Sequence, residues 1–427
     1  MGQAPPTQTD APAPTNKPDT ARALSRDLGL LDIVLFGVGG IVGAGIYAII
    51  GEAAAFGGNL LWVSFLGAAV VAFLTAATYA ELVSRYPDAG GSFEYVKQAF
   101  GLKVATGASV FMLFTGVVAA GAIAISFSDY MARLVGLPTV LTTLGIIAAM
   151  GVLNGLGAAQ ASWFNTVATV VTLLGLGAVV VASAGDIGSV DLLSFEDATL
   201  VGLGTGSALI FFSFIGFEDL VKLAEETKQP ERTMPRGLLL SAGIVLVVYL
   251  LVAVAAVSAL GADELAQSSG PLAEILDVKL GAAWATGIVA IALFATSKTI
   301  LSNILGTSRL LFDVSRDNEI RWLDALARVH SATRTPVRAI AVVTAIAMAF
   351  GAIGNLRIVA AVSNILILLV FLLVNIALLR IRWSRSDDAP FRIPVSVGPY
   401  PLSALLAIAG VAALLLLNVR AIVTGAA

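Results

Sequence analysis

Phe36-Gly-Val-Gly-Gly-Ile-Val-Gly-Ala-Gly-Ile-Tyr47 is the stretch from which the rest of this chain can be read. It lies inside an apolar run long enough to cross a membrane as a helix. Yet five glycines, Gly37, Gly39, Gly40, Gly43 and Gly45, fall within nine positions. Glycine weakens a helix by about 1 kcal/mol per residue relative to alanine. The cluster therefore predicts a helix that breaks partway through the bilayer. A break frees backbone N–H and C=O groups that hydrocarbon cannot satisfy. They are tolerable where they line a cavity within the protein, and paired breaks of this kind form midplane binding sites. The bland alternative is that the glycines serve only close helix packing, as in small-xxx-small contacts.

Working outward, the composition fits a membrane protein. Of 427 residues, 58% are hydrophobic and 12% charged, and the mean hydropathy is +0.93. A soluble domain carries about 25% charged residues, so most of this surface is expected to face lipid. There is no cysteine, which excludes thiol catalysis and thiolate metal sites. The single histidine, His330, falls in a basic loop and cannot build a multi-histidine metal site. No metal, cofactor or nucleic-acid partner is expected, and the formal net charge of −3 gives no pull toward nucleic acid.

Eleven spans are predicted, with ends good to a few residues. They lie at about 31–54, 60–84, 104–132, 138–158, 164–185, 200–222, 237–260, 282–312, 337–354, 356–380 and 399–424. Residues 1–26 read as a disordered cytoplasmic tail, rich in Pro, Thr, Ala and Asp. With the N-terminus cytoplasmic, 20 of the 25 Lys and Arg fall on the cytoplasmic side. Arg133, Lys279, Arg357 and Arg420 fall on the other, and Lys298 lies inside span 8. This is a strong positive-inside bias, and an odd number of spans puts the C-terminus outside.

A second weak spot opens the second half. Gly202, Gly204 and Gly206 precede Phe211-Phe-Ser-Phe-Ile-Gly-Phe-Glu218. Spans 1 and 6 each begin a five-span unit, 27–185 and 200–382, with span 11 at 399–424 left over. Five is odd, so the two units have opposite topology. Interrupted helices at matching positions of inverted repeats point to a binding site between them.

Several motifs are then recognisable. Gly39-Gly-Ile-Val-Gly-Ala-Gly-Ile-Tyr47 resembles the first-helix motif of the amino acid–polyamine–organocation (APC) superfamily of transporters. Tyr79-Ala-Glu-Leu-Val-Ser-Arg-Tyr-Pro-Asp-Ala-Gly-Gly-Ser-Phe-Glu-Tyr95 resembles its signature after the second helix. Phe212-Ser-Phe-Ile-Gly-Phe-Glu218 with Ala224-Glu-Glu-Thr-Lys-Gln-Pro-Glu-Arg-Thr-Met-Pro-Arg236 is similar to its sixth helix and following loop. Gly306-Thr-Ser-Arg-Leu-Leu-Phe-Asp-Val-Ser-Arg-Asp317 is similar to the end of its eighth. The resemblance covers spans 1–10. It implies an all-α, five-plus-five inverted-repeat fold with broken helices 1 and 6, alternating access, and an amino acid or related amine as substrate. Relatives commonly have twelve spans. Several carry a span-5 lysine where Thr172 aligns here.

Site residues follow. Val42, Gly43, Ala44, Gly45 and Ile46 lie at the first break, where N–H groups at a half-helix N-terminus suit a carboxylate. Phe212, Ser213, Phe214, Ile215 and Gly216 lie at the second, where freed carbonyls suit an ammonium. By the resemblance Phe212 is a gating aromatic; the alternative for Phe212, and the simpler reading of Phe214, is packing. Tyr47 and Asn364 are candidates for ligand contact, with no contact as an equal alternative. Glu218 caps a half-helix or pairs with a cation, and Glu81 reads as structural. Asp313, Arg316 and Asp317 read as a solvated cluster or part of an inner gate.

Lys298, flanked by Ser297 and Thr299, is a mid-span cation. Such a charge costs roughly 2.5–3.5 kcal/mol on insertion scales. Snorkelling is the alternative, but about eleven residues, roughly 16 Å of helix, separate it from Arg309. In sodium-coupled relatives a cation lies between carbonyls of the first break and span-8 hydroxyls. The resemblance therefore implies that Lys298 places an ammonium there, donating to carbonyls near Gly39 and Val42, with Thr172 opposite.

The function expected is secondary active transport of amino acids, neutral ones being favoured because the breaks offer backbone and apolar groups. It is expected in the cell membrane, coupled to protons rather than sodium. The alternatives are an amino acid or amine exchanger and a passive channel. An enzyme is not expected, since no base accompanies Ser213. Primary transport lacks its Gly-x4-Gly-Lys-Ser/Thr loop.

Overall fold

A computed structural model describes residues 26–425 except 88–90, 157, 196–197, 317–324, 331–332, 334 and 385–388, and describes only the backbone at 158–166, 313, 316 and 397. Residues 1–25 of the expected tail, the segment 88–90 of the second motif, and Asp317 lie outside the described residues, as do the side chains of Asp313 and Arg316.

The chain is almost wholly helical, in the order expected. The first crossing is split into α1 (Leu30–Ile41) and α2 (Ala44–Gly57). Then come α3 (Leu61–Arg85), the short α4 (Gly91–Phe100), α5 (Leu102–Ala132), α6 (Thr139–Leu156) and α7 (Ala158–Ala182). The sixth crossing is α8 (Leu200–Ile210), a 3-10 turn over Phe211–Phe214, α9 (Phe217–Leu220) and more 3-10 helix over Val221–Glu226. Next are α10 (Pro230–Leu260), the short α11 (Ala262–Gln267) and α12 (Pro271–Leu280), and α13 (Ala282–Arg316). Last come α14 (Val337–Gly351), α15 (Leu356–Ser384) and α16 (Leu402–Val423). A two-residue β ladder, β1 (Ser396–Val397) with β2 (Tyr400–Pro401), precedes α16.

Among the described residues nine segments are long and apolar enough to cross a membrane, one of them, Ala44–Arg85, holding both α2 and α3. Two shorter apolar helices, Leu30–Ile41 and Val337–Gly351, supply the rest of the eleven crossings. The short first helix is a consequence of the break, since α1 and α2 share one crossing.

The packing has an internal regularity. Helix α1 packs on α10, and α8 on α3. Helix α15 packs on α5, and α7 on α13; α14 packs on α5, and α6 on α13. Each pair maps onto its companion when spans 1–5 are exchanged for spans 6–10. Helices α5 and α13 pack on each other. Helix α16 lies outside this pattern, against α15, α3 and α8. The arrangement brings the two broken crossings together, each against the other repeat's second helix.

Candidate functional site

The first break is two residues long. Val42 is extended at φ −73°, ψ 92°, and Gly43 lies at φ −138°, ψ −140°. The second is longer: Ile215 is extended, and Gly216 has φ +130°, a conformation that side-chain-bearing residues rarely adopt. The breaks touch. A Cβ on Gly216 would lie 2.6 Å from the Gly40 carbonyl oxygen, and one on Gly45 would lie 2.5 Å from Ser213 Cα. Glu218 folds back so that its carboxylate accepts from the Gly216 N–H at 2.7 Å. It thus ties the second break locally, as a cap would.

A cavity of about 310 Å³ opens from this junction. Its walls include Gly43, Ala44, Gly45, Phe212, Ser213, Ile215, Gly216, Lys298 and Thr299. Apolar groups close one side: Met112, Ala119 and Ile123 of α5, and Ile367 of α15. The cavity reaches the surface where Phe36, Asp219 and Lys222 are exposed. At the other end of the bundle, α11 and α12 lie against α2. Ion pairs there join Arg133 to Glu274 at 3.5 Å, Lys279 to Asp186 at 2.7 Å, and Arg357 to Glu52.

Not every residue singled out reaches the cavity. Val42, Ile46 and Phe214 are buried behind its wall. Phe214 packs edge-on against Tyr249, with ring centroids 5.2 Å apart. Tyr47 donates to the Thr172 carbonyl at 3.3 Å, and Asn364 to the Ala208 carbonyl at 2.8 Å. Neither lines the cavity. Ser213 does, and its buried hydroxyl has no hydrogen-bond partner.

Lys298 is 2% exposed, and its ammonium donates to three oxygens. These are the Gly39 carbonyl, the Val42 carbonyl at 3.3 Å and Thr169 Oγ1 at 2.9 Å. An ammonium has three donors, so the set is complete. Thr299 Oγ1 accepts from the Ala44 N–H at 3.1 Å, occupying one of the N–H groups freed at the start of α2. Ser297 is buried but does not line the cavity.

Thr172 departs from expectation. Its hydroxyl turns to the Ala168 carbonyl of its own helix at 2.6 Å, and the hydroxyl facing Lys298 is that of Thr169, about one turn earlier. Residues three apart share a helix face, so the choice between them rests on the rotation of α7. The sequence reading also passed over Tyr249. This tyrosine stands in mid-span, 0% exposed, and donates between the Ile41 carbonyl at 3.1 Å and the Ser213 carbonyl at 3.2 Å. A buried tyrosine hydroxyl needs a partner, but the partners lie 208 and 36 residues away in sequence.

Paired broken helices meeting at a cavity inside a helical bundle of apolar spans define a multi-pass membrane protein. Residues 28–425 match the amino acid permease family, and the chain belongs to it. It is 33% identical over 392 residues to an uncharacterized transporter of Mycobacterium tuberculosis, covering 90% of this chain and 86% of that one. It is 26% identical to the branched-chain amino acid permease BcaP of Bacillus subtilis, covering 86% of this chain and 83% of that one. Identity to the vacuolar cationic amino acid transporter 8 of Arabidopsis thaliana is 28%, covering 87% and 66%.

Proposed function

We infer that this permease carries neutral amino acids by alternating access, coupled to protons and independent of sodium. The observation that carries the reading is the cavity at the junction of the two breaks, with Lys298 seated on the first of them. Its 310 Å³ is at the small end of the range for ligand pockets, about 300–1,000 Å³. The carboxylate would sit at the Gly45 N–H, in the cavity wall at the start of α2, where the α2 dipole favours negative charge. The ammonium is placed at the carbonyls of the two breaks, with Phe212 covering it. The side chain then lies toward Met112, Ala119, Ile123 and Ile367, an apolar wall suited to an uncharged aliphatic group.

Lys298 is placed as the coupling group. Its three acceptors would otherwise suit a bound cation, and its own charge makes a metal ion redundant there. A proton lost and regained at this nitrogen would loosen and restore the link between α13 and the first break. Among the described residues no carboxylate lies within ion-pair distance of it.

The test is uptake of labelled amino acids into proteoliposomes, with and without sodium, across a pH series, in the parent and in Lys298→Met. The expected result is sodium-independent, concentrative uptake that an uncoupler collapses and whose pH dependence changes in the mutant. A strict sodium requirement in the parent overturns the assignment of Lys298. Uptake that never exceeds equilibration overturns active transport in favour of a passive route.

A further inference from the structure

Tyr249 of α10 has no place in the reading above. Its ring is held edge-on by Phe214 at 5.2 Å and Phe65 at 6.2 Å between centroids. These contacts aim the hydroxyl at the point where both broken helices release backbone groups. Ile41 is the last residue of α1, so its carbonyl has no donor four residues on. Ser213 lies in the 3-10 turn that ends the first half of the sixth crossing. Both residues line the cavity, while Tyr249 stands behind them and does not.

A phenol has one proton to donate. The Tyr249 hydroxyl lies 3.1 Å from one carbonyl and 3.2 Å from the other, so it satisfies one at a time and leaves the second short of a donor. A buried carbonyl without a donor keeps its desolvation penalty uncompensated. A ligand ammonium brings three donors and would supply the missing one from the cavity side. We propose that Tyr249 is the positioning residue of the ammonium subsite: it holds the Ile41 and Ser213 carbonyls of the two breaks in register from behind and leaves one of them for the substrate's ammonium. The proposal rests on the reading of the cavity as an amino acid site. It assigns to span 7 the task of keeping two separately broken helices aligned.

The experiment compares an amino acid with its desamino analogue. The purified protein is titrated with L-leucine and with 4-methylpentanoate, which lacks only the ammonium, and the ratio of the two dissociation constants is taken within each protein. Tyr249→Phe keeps the ring contacts and removes the hydroxyl. Tyr249→Met fills the space with a flexible apolar chain and serves if the Phe variant does not fold. The parent is expected to prefer leucine by at least about tenfold, and the variants to lose most of that preference. A merely structural lesion weakens both ligands alike and leaves the ratio unchanged, which would overturn the proposal. If the parent prefers leucine and a folded variant keeps the parent's ratio, the role of Tyr249 is wrong while the amino acid site stands. If the parent binds leucine no better than 4-methylpentanoate, the ammonium subsite is wrong and the role of Tyr249 falls with it.

Discussion

Gly45 is bare because Ser213 of the other broken helix occupies the space a side chain would need, at 2.5 Å from its Cβ position. Gly43 is similarly pressed, its Cβ position being 2.6 Å from Thr299 Oγ1. Replacing either by leucine forces apart groups that converge in the proposed site. Overpacking of this kind costs about 1–3 kcal/mol, and every 1.4 kcal/mol is about tenfold in binding. Gly43→Leu and Gly45→Leu should therefore reach the membrane at normal levels but lose at least about tenfold in uptake and lose stabilisation by substrate. Parental thermal shifts in both would remove the first break from the site. Glycines at a helix break and a lysine in mid-span are conspicuous in sequence, because both violate what a lipid-spanning helix ordinarily contains. Tyr249 and Thr169 violate nothing, and only their neighbours reveal them.

At the level of elements, the C-terminal end of α3 is fastened to the far end of the chain. Glu81 is fully buried and accepts from Arg85 at 3.0 Å, from Arg382 of α15, and from the Ile393 N–H at 3.1 Å. Arg382 also donates to Ser396 at 2.8 Å in β1, and Ser84 exchanges hydrogen bonds with the Phe391 backbone. The cluster pins the connection between α15 and α16 against α3. Removing one partner of a buried ion pair costs about 3–5 kcal/mol. Glu81→Gln should accordingly lower the melting temperature clearly in detergent. Glu94→Gln, which disturbs a more exposed pair with Lys97 at 3.1 Å, should cost less than about 1 kcal/mol. Equal melting temperatures for the two variants would refute this. Glu81 could be read as structural from its place at a span end. Arg382 could not be named as its partner, because 301 residues separate them. The second half of span 6 was likewise hidden: Gly216 marks the break, but the 3-10 winding that follows is set by contacts with α10 and α3.

The whole molecule is closed at one end by the ion pairs around α2 and α12, and open at the other through the cavity. We propose, from the charge bias of the loops, that the open end faces the cytoplasm. Because the chain has no cysteine, single replacements report access directly. Ser302 lines the cavity and is exposed there. Ser302→Cys should resist a membrane-impermeant maleimide in intact cells and react with it in inside-out vesicles. The reverse pattern would invert the topology. A tag on the N-terminus should be shielded in intact cells and one on the C-terminus accessible, as eleven crossings require.

By itself the sequence determined where the chain must enter the bilayer, in what order the helices follow, and where two of them give way. Those features follow from hydrophobic length and backbone propensity, which act along the chain and need no partner. The tertiary structure decided who serves the groups the breaks release. Thr169 rather than Thr172 meets Lys298, Thr299 takes the Ala44 N–H, and Tyr249 stands between Ile41 and Ser213. Each of those contacts joins helices distant in sequence. Their meeting depends on crossing angle and on rotation about the helix axis, quantities that arise only when side-chain ridges settle into the grooves of another helix. A rotation of one α7 residue, about 100°, would have presented a different side chain to the same cation.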